Sequence, residues 1–243
     1  MRSYAVTHPR NLGLGERAYA AWDQLAYASR GVMTVVTTEG VWVVPPNRAV
    51  WIPAGARHSV RTSGRVSLST LFLRPELSRR RLPRRCVALD VSPLVRELVL
   101  HAAHRNTLAR DRAVDRRLAG VIVDQLVTLP HAPLRMQMPV DARARKAAEM
   151  LDAAPALALA RVARSAGASL RTLERLFLRD TGIPLGRWRR RARVIAALRL
   201  LADGTSITAT ATDVGYATPS AFVAAFRREL GTTPGRYFPA ARG

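Results

Sequence analysis

The chain predicts an α+β protein: a jelly-roll β-barrel at the N-terminus, linking helices, and an all-α C-terminal domain carrying two helix-turn-helix units. Three observations predict it. Short runs of β-forming residues, punctuated by Gly and Pro, fill 24–73. From Pro139 onward the apolar periodicity is helical and breaks only at Gly and Pro signals. The last third also repeats itself at an offset of about 49 residues, with Ser169 falling on Thr218, Leu173 on Phe222, Phe177 on Phe226, Gly182 on Gly231 and Trp188 on Tyr237. At 243 residues there is material for more than one core. The divisions expected are a barrel over 1–85, linking or dimerisation helices and a hinge over 86–138, and the double helix-turn-helix domain over 139–243.

In the first part, strands over 32–37 and 41–44 flank Thr38-Glu39-Gly40, a hairpin signal. Pro45-Pro46-Asn47 and Thr62-Ser63-Gly64 are the next turn signals. Ser92-Pro93 starts a helix running to about Arg105, and 110–128 reads as a second. Leu94, Val95, Leu98 and Val99 on one, with Leu118, Ile122 and Leu126 on the other, form stripes suited to packing together or against a second subunit. Glu97, His101 and His104 share a helical face at ligand-like spacing, a pattern that is usually polar surface. The run Arg79-Arg80-Arg81 with Arg84-Arg85 reads as a solvated link, and 128–139, with Pro130, Pro133 and Pro139, as a hinge.

In the second part, helices are predicted over 141–152, 157–166, 170–180, 185–202, 207–214 and 219–230. Gly167 can take the left-handed conformation that ends a helix, and Ser169 then caps the next one. Thr218-Pro219 gives the same start signal in the second unit, a capping hydroxyl followed by Pro at the first helical position. Leu173, Leu176 and Phe177 form the inward stripe of 170–180, which leaves Arg171, Glu174 and Arg175 on the opposite side of its N-terminal half. That half of a recognition helix meets base edges, where Arg forks onto guanine and a carboxylate accepts from cytosine. The same residues would also make an ordinary solvated face. The predicted 185–202 helix, with Arg187, Arg189, Arg190, Arg191 and Arg193 in its first half, would join the units as a rod roughly 27 Å long.

Charge supports a polyanionic partner. Thirty-nine basic against seventeen acidic side chains leave a net charge of +22, and every cation except Lys146 is Arg. Acidic proteins and membrane surfaces would answer to the same field. No apolar run is long enough to span a membrane, and 1–9 lacks the core of a signal peptide. The single cysteine, Cys86, fits a reducing cytoplasm. Neither a Gly-rich phosphate loop nor a Ser-His-Asp arrangement stands out, so no enzyme activity and no cofactor are expected.

The segment Asp213-Val-Gly-Tyr-Ala-Thr-Pro-Ser-Ala-Phe222, continued by Ala225-Phe-Arg-Arg-Glu-Leu-Gly-Thr-Thr-Pro-Gly-Arg-Tyr237, resembles the AraC/XylS family of bacterial transcription regulators. The resemblance covers about 142–238. It implies double-stranded DNA as partner, a homodimer, no membrane, and recognition helices over 170–180 and 219–230. The repeat places Ser220, Val223 and Ala224 where the first unit has Arg171, Glu174 and Arg175, and Ala224 stands where family members often carry Arg. The base-reading set is therefore Arg171, Glu174, Arg175 and Ser220, and the phosphate-gripping set Ser169, Arg179, Thr218, Arg227 and Arg228.

Pro53-Ala-Gly-Ala-Arg-His58 resembles the second motif of cupin barrels, with Asn47 where that motif usually has Gly. Its other metal-ligand positions fall on Ala18, Ala20 and Gln24, and one His cannot hold a metal against water. No metal site is expected there, which weighs against a metal-dependent cupin enzyme. Such a barrel can still form a pocket for a small organic effector, lined by Gln24, Trp51 and His58, although Trp51 and His58 also suit a satisfied core. A non-specific architectural DNA-binding protein would share the basic, helical composition.

Overall fold

In the computed structural model, residues 1–8, 13–78, 81–130 and 135–238 are described, and the side chains of 63, 64 and 135 are not. Arg79 and Arg80 of the basic run lie outside the described residues. The chain divides into two units, Met1–Arg135 and Met136–Gly243.

The first unit contains strands β1 (Arg2–His8), β2 (Gly13–Arg17), β3 (Asp23–Thr37), β4 (Gly40–Val44), β5 (Arg48–Ile52) and β6 (His58–Leu73). A short helix α1 (Pro75–Ser78), strand β7 (Val87–Asp90), and helices α2 (Pro93–His104) and α3 (Ala113–Thr128) follow. The pairings β1–β6, β2–β6, β3–β6, β3–β4, β3–β5 and β5–β7 are all antiparallel. This is the jelly-roll-like arrangement the sequence predicts, although the hydrogen-bonded path does not close into a complete barrel.

The predicted hairpin is present, with Thr37 opposite Gly40. Asn47 takes the left-handed conformation at φ 65°. The turn expected at Thr62-Ser63-Gly64 is absent, because β6 continues through it. The irregularity lies in the pairing itself: the β3–β6 register shifts between Ala28 and Val32, where the partners run from Leu68 to Ser63. Gly31 sits at that shift at φ 76°, where a Cβ would press into the Arg65 carbonyl and the Val66 side chain.

Alternate residues of the strands feed two cores. Ala26, Val35, Val50, Ile52, Val60, Val66 and Leu68 pack in one. Leu25, Tyr27, Trp51, Leu71 and Leu89 pack in the other, together with Val95 and Val99 of α2 and Ile122 and Leu126 of α3. Burial on both faces explains why these strands read as continuous apolar runs. Leu98 and Leu118 are partly buried against the second core, while Leu94, Val114 and Val121 are exposed. Asp115, in α3, is buried and paired: its Oδ2 accepts the Ala109 N–H at 2.9 Å, and its Oδ1 lies 2.8 Å from the Arg105 guanidinium.

The second unit is helical: α4 (Ala142–Ala153), α5 (Leu159–Ser165), α6 (Leu170–Thr181), α7 (Leu185–Ala202), α8 (Ile207–Asp213), α9 (Pro219–Leu230) and α10 (Pro234–Tyr237). The 18-residue α7 packs against α4, α6, α8 and α9, burying Trp188, Ile195, Leu198 and Leu201. Among the described residues no helix is long and apolar enough to cross a membrane.

Candidate nucleic-acid interface

The two helix-turn-helix units repeat in space as they do in sequence. Ser169 accepts the Thr172 N–H at 3.1 Å to start α6, and Thr218 accepts the Ala221 N–H at 3.2 Å to start α9. Both helices end on left-handed glycines, Gly182 at φ 67° and Gly231 at φ 75°. The buried positions Leu173, Leu176, Phe177 and Thr181 of α6 recur as Phe222, Ala225, Phe226 and Leu230 of α9. The ring packing is copied as well. Phe177 meets Trp188 edge-on at 5.2 Å, and Phe226 meets Tyr237 edge-on at 5.8 Å.

With these faces buried, the opposite faces are fixed. On α6 they present Arg171, Glu174, Arg175 and Leu178, all exposed, lining a shallow surface depression with Pro184 and Gly186. On α9 the equivalent depression is lined by Ser220, Val223, Ala224, Arg227, Arg228 and Thr233. Position for position, Arg171, Glu174, Arg175, Leu178 and Pro184 correspond to Ser220, Val223, Ala224, Arg227 and Thr233. Leu178 is not singled out by the sequence, since an exposed apolar residue on a charged face carries no helix-period signal of its own.

Among the described residues, Arg171, Arg175, Arg227 and Arg228 have no carboxylate partner, so their guanidinium groups keep their full donor capacity. Arg179 is different. Its Nε donates to Asp180 at 2.7 Å, and its Nη2 lies 4.0 Å from Asp141. Asp180 in turn accepts the backbone N–H groups of Val140 and Asp141, each at 2.9 Å. The side-chain hydrogen bond from Arg179 holds the Asp180 carboxyl below the usual carboxylate range, and that from Arg143 brings Asp141 to about 2. Arg179 therefore belongs to a structural tie between α6 and the start of α4.

The arginines of α7 divide in the same way. Arg187 is exposed, whereas Arg189 is half-buried and donates to the Leu157 carbonyl. Arg193 donates to the Pro155 carbonyl at 3.1 Å and lies over the Tyr216 ring at 5.3 Å. Arg191 pairs with Glu229 at 3.6 Å. Arg189, Arg191 and Arg193 thus brace the rod against its neighbours. Gly215 completes the brace: at φ 83°, any Cβ there would strike Ala156 and Arg193.

In the first unit, Gln24 pairs with Phe72 and Ile52, while Trp51 pairs with Leu25. Gln24 and Trp51 therefore project to opposite faces, and Trp51 belongs to the helix-covered core, where its Nε1 donates to the Pro83 carbonyl at 2.9 Å. Sequence reasoning grouped Trp51 with Gln24 and His58; strand parity separates it from them. His58 shares the face of Val60, and the Tyr19 ring lies 5.9 Å from His58 and 4.9 Å from Phe72. Gln24 and His58 are both buried. The His58 Nδ1 donates to the Ala56 carbonyl at 3.0 Å, which leaves Nε2 as a lone pair. That Nε2, Gln24 Oε1 and Thr70 Oγ1 have no hydrogen-bond partner among the described residues. Glu97 pairs with Arg96 and the His104 Nδ1 with the Leu100 carbonyl, and among the described residues no group of His, Cys, Asp and Glu is arranged to hold a metal.

Comparison with known proteins agrees with this layout. A family model described as a helix-turn-helix domain matches residues 162–240. The HTH-type transcriptional regulator NimR of Escherichia coli is 36% identical over 216 residues, covering 88% of this chain and 78% of NimR. The HTH-type transcriptional regulator RipA of Corynebacterium glutamicum is 37% identical over 122 residues, covering 49% of this chain and 35% of RipA. A solved DNA-binding domain of AdpA, in complex with its target DNA, is 32% identical, covers 41% of this chain and 92% of that one, and superposes with a TM-score of 0.36. With the capped, glycine-terminated helices α6 and α9 repeated on either side of α7, and with a relative matched along most of both chains, this protein belongs to the AraC/XylS family of helix-turn-helix transcription regulators.

Proposed function

We propose that this regulator binds DNA sequence-specifically, with α6 reading major-groove bases and α9 mainly gripping the backbone. The observation that carries this reading is the asymmetry of two otherwise matched helices. The α6 face offers Arg171, Glu174 and Arg175, unpaired and exposed on its first turns, whereas α9 offers only Ser220 as a polar group there. An unpaired Arg can fork onto guanine O6 and N7, and Glu174 can accept from cytosine N4. Ser169, Thr218, Arg227 and Arg228 are the phosphate contacts of this reading. Arg179 is assigned the phosphate role only secondarily, since its guanidinium is shared with Asp180.

The test is selection of a duplex from a random library by the full chain, followed by competition at physiological salt. Specific regulators prefer such a site over random DNA by roughly a thousandfold or more. A ratio near one would instead make the protein a non-specific architectural binder.

The effector half of the proposal rests on Gln24 and His58, without Trp51. Their buried Oε1 and Nε2 are acceptors awaiting a donor, which favours a small organic molecule carrying N–H or O–H groups. A thermal-shift screen with such molecules should give stabilisation that Gln24→Leu removes. Pairing of two copies is supported by the exposed apolar side chains of Leu94 on α2 and of Val114 and Val121 on α3. Sedimentation measurements should then show a dimer that Val121→Asp weakens.

A further inference from the structure

The α9 face is poor in hydrogen-bonding groups, but it is not featureless. Where α6 carries Glu174 and Arg175, α9 carries Val223, half-buried, and Ala224, exposed. Both line the same depression as Ser220, Arg227 and Arg228. The two arginines, Ser220 and Thr233 supply the polar lining of that depression, while Pro219, Val223 and Ala224 supply its apolar surface.

Base edges in the major groove present acceptors on guanine and adenine, amino donors on cytosine and adenine, an acceptor on thymine, and one apolar feature, the thymine C5-methyl. Val223 and Ala224 can satisfy none of the donors or acceptors. Set against a guanine, adenine or cytosine edge, they would strip water from a polar group and return nothing, an unfavourable exchange. Against the thymine methyl the exchange is favourable. Valine in a helix is held largely to one rotamer, so its methyl groups are presented at a fixed place. The side chain of Ala224 is short enough not to hold the helix away from the groove floor.

We propose that Val223 and Ala224 select thymine in the half-site facing α9, by apolar contact with its C5-methyl group. This rests on the reading of α9 as a groove-facing helix, and gives that helix a specificity of its own beside its phosphate contacts. The first unit then discriminates by hydrogen bonding and charge, and the second by the presence of a methyl group.

The experiment uses a duplex selected from random sequence by the full chain, with each thymine replaced in turn by uracil. That replacement deletes one methyl group and leaves charge and hydrogen-bonding groups unchanged. At one or two thymines affinity should fall about fourfold, the equivalent of the ~0.8 kcal/mol carried by one buried carbon. Replacing cytosine by 5-methylcytosine at those positions in a mismatched duplex should recover part of the loss. Val223→Ser should bind the thymine and uracil duplexes equally, while Arg175→Ala should keep the full uracil effect. A flat uracil scan of the unaltered protein overturns the proposal without needing any variant to fold, as does a uracil effect that Val223→Ser leaves unchanged. If selection yields no preferred duplex, the sequence-specific reading itself fails, and this proposal falls with it.

Discussion

The carboxylate of Asp180, near the end of α6, accepts the backbone N–H of Asp141 at the start of α4, at 2.9 Å. It accepts the neighbouring Val140 N–H at the same distance, so α4 is capped from another helix as well as by its own Asp141, which accepts the Arg143 N–H at 3.0 Å. Helix α6 is thereby fixed to the scaffold at its C-terminal end, away from Arg171 and Arg175. Asp180→Ala should cost about 1 kcal/mol, the usual worth of a lost helix cap. Urea unfolding checks this, and unchanged base preference at a lower midpoint is the expected pairing of results.

The same tie has a pH signature. Both carboxyls are depressed below their ordinary value, Asp141 to about 2, so their stabilisation is complete above the normal carboxylate range and is lost as pH falls through it. Stability of the unaltered protein should therefore fall between about pH 4 and 2 more steeply than that of an Asp180→Asn, Asp141→Asn double variant. Parallel curves would place the acid sensitivity elsewhere.

His58 gives a second window with the same sign. Burial lowers its pKa, outweighing the opposing hydrogen bond to Ala56, so the fold prefers the neutral ring. Its contribution is complete above the unfolded value near 6.5 and declines as pH drops below it. His58→Gln should flatten the stability curve below about pH 6.5. An unaltered slope there would mean that the ring can protonate in the fold without penalty.

Gly215→Ala should destabilise the second unit by roughly 1–3 kcal/mol, because it combines a positive φ with a clash against Ala156 and Arg193. Gly182→Ala, with the same sign of φ but open space around its Cβ, should cost less. Thermal unfolding of the two variants compares them directly, and equal losses would show that backbone strain alone sets the penalty.

These relationships divide cleanly into those that sequence could show and those it could not. Ser169, Thr218, Gly182 and Gly231 were legible because caps act on backbone within a few residues of themselves. The inward stripes of α6 and α9 were legible because burial follows the helical period. Trp51 was misplaced because a single step in strand register reverses the face a residue meets, and register depends on partners elsewhere in the chain. The register shift beside Gly31 was hidden for the same reason, and Thr62-Ser63-Gly64 imitated a turn although β6 continues through it. Arg179, Arg189 and Arg193 could not be told from phosphate-binding arginines, since what separates them is a carboxylate or carbonyl that folding brings alongside.

Arg228 tests the backbone-gripping half of the account. It is exposed on α9, C-terminal to Ser220 and Ala224, with no carboxylate partner among the described residues. Arg228→Ala should weaken binding to selected and random duplexes by the same factor and reduce the salt slope by about one. A shift in base preference would move it into the reading set.

The central claim is that α6 specifies sequence, and Arg175 tests it most directly. The measurement is the affinity of Arg175→Ala for a selected duplex and for every single-base-pair variant of it, at one fixed salt concentration. The account predicts a loss of about 1–3 kcal/mol on the selected duplex, with discrimination relaxed at one base pair and kept at the others. Equal weakening on every duplex, with the original preference intact at each position, would contradict it.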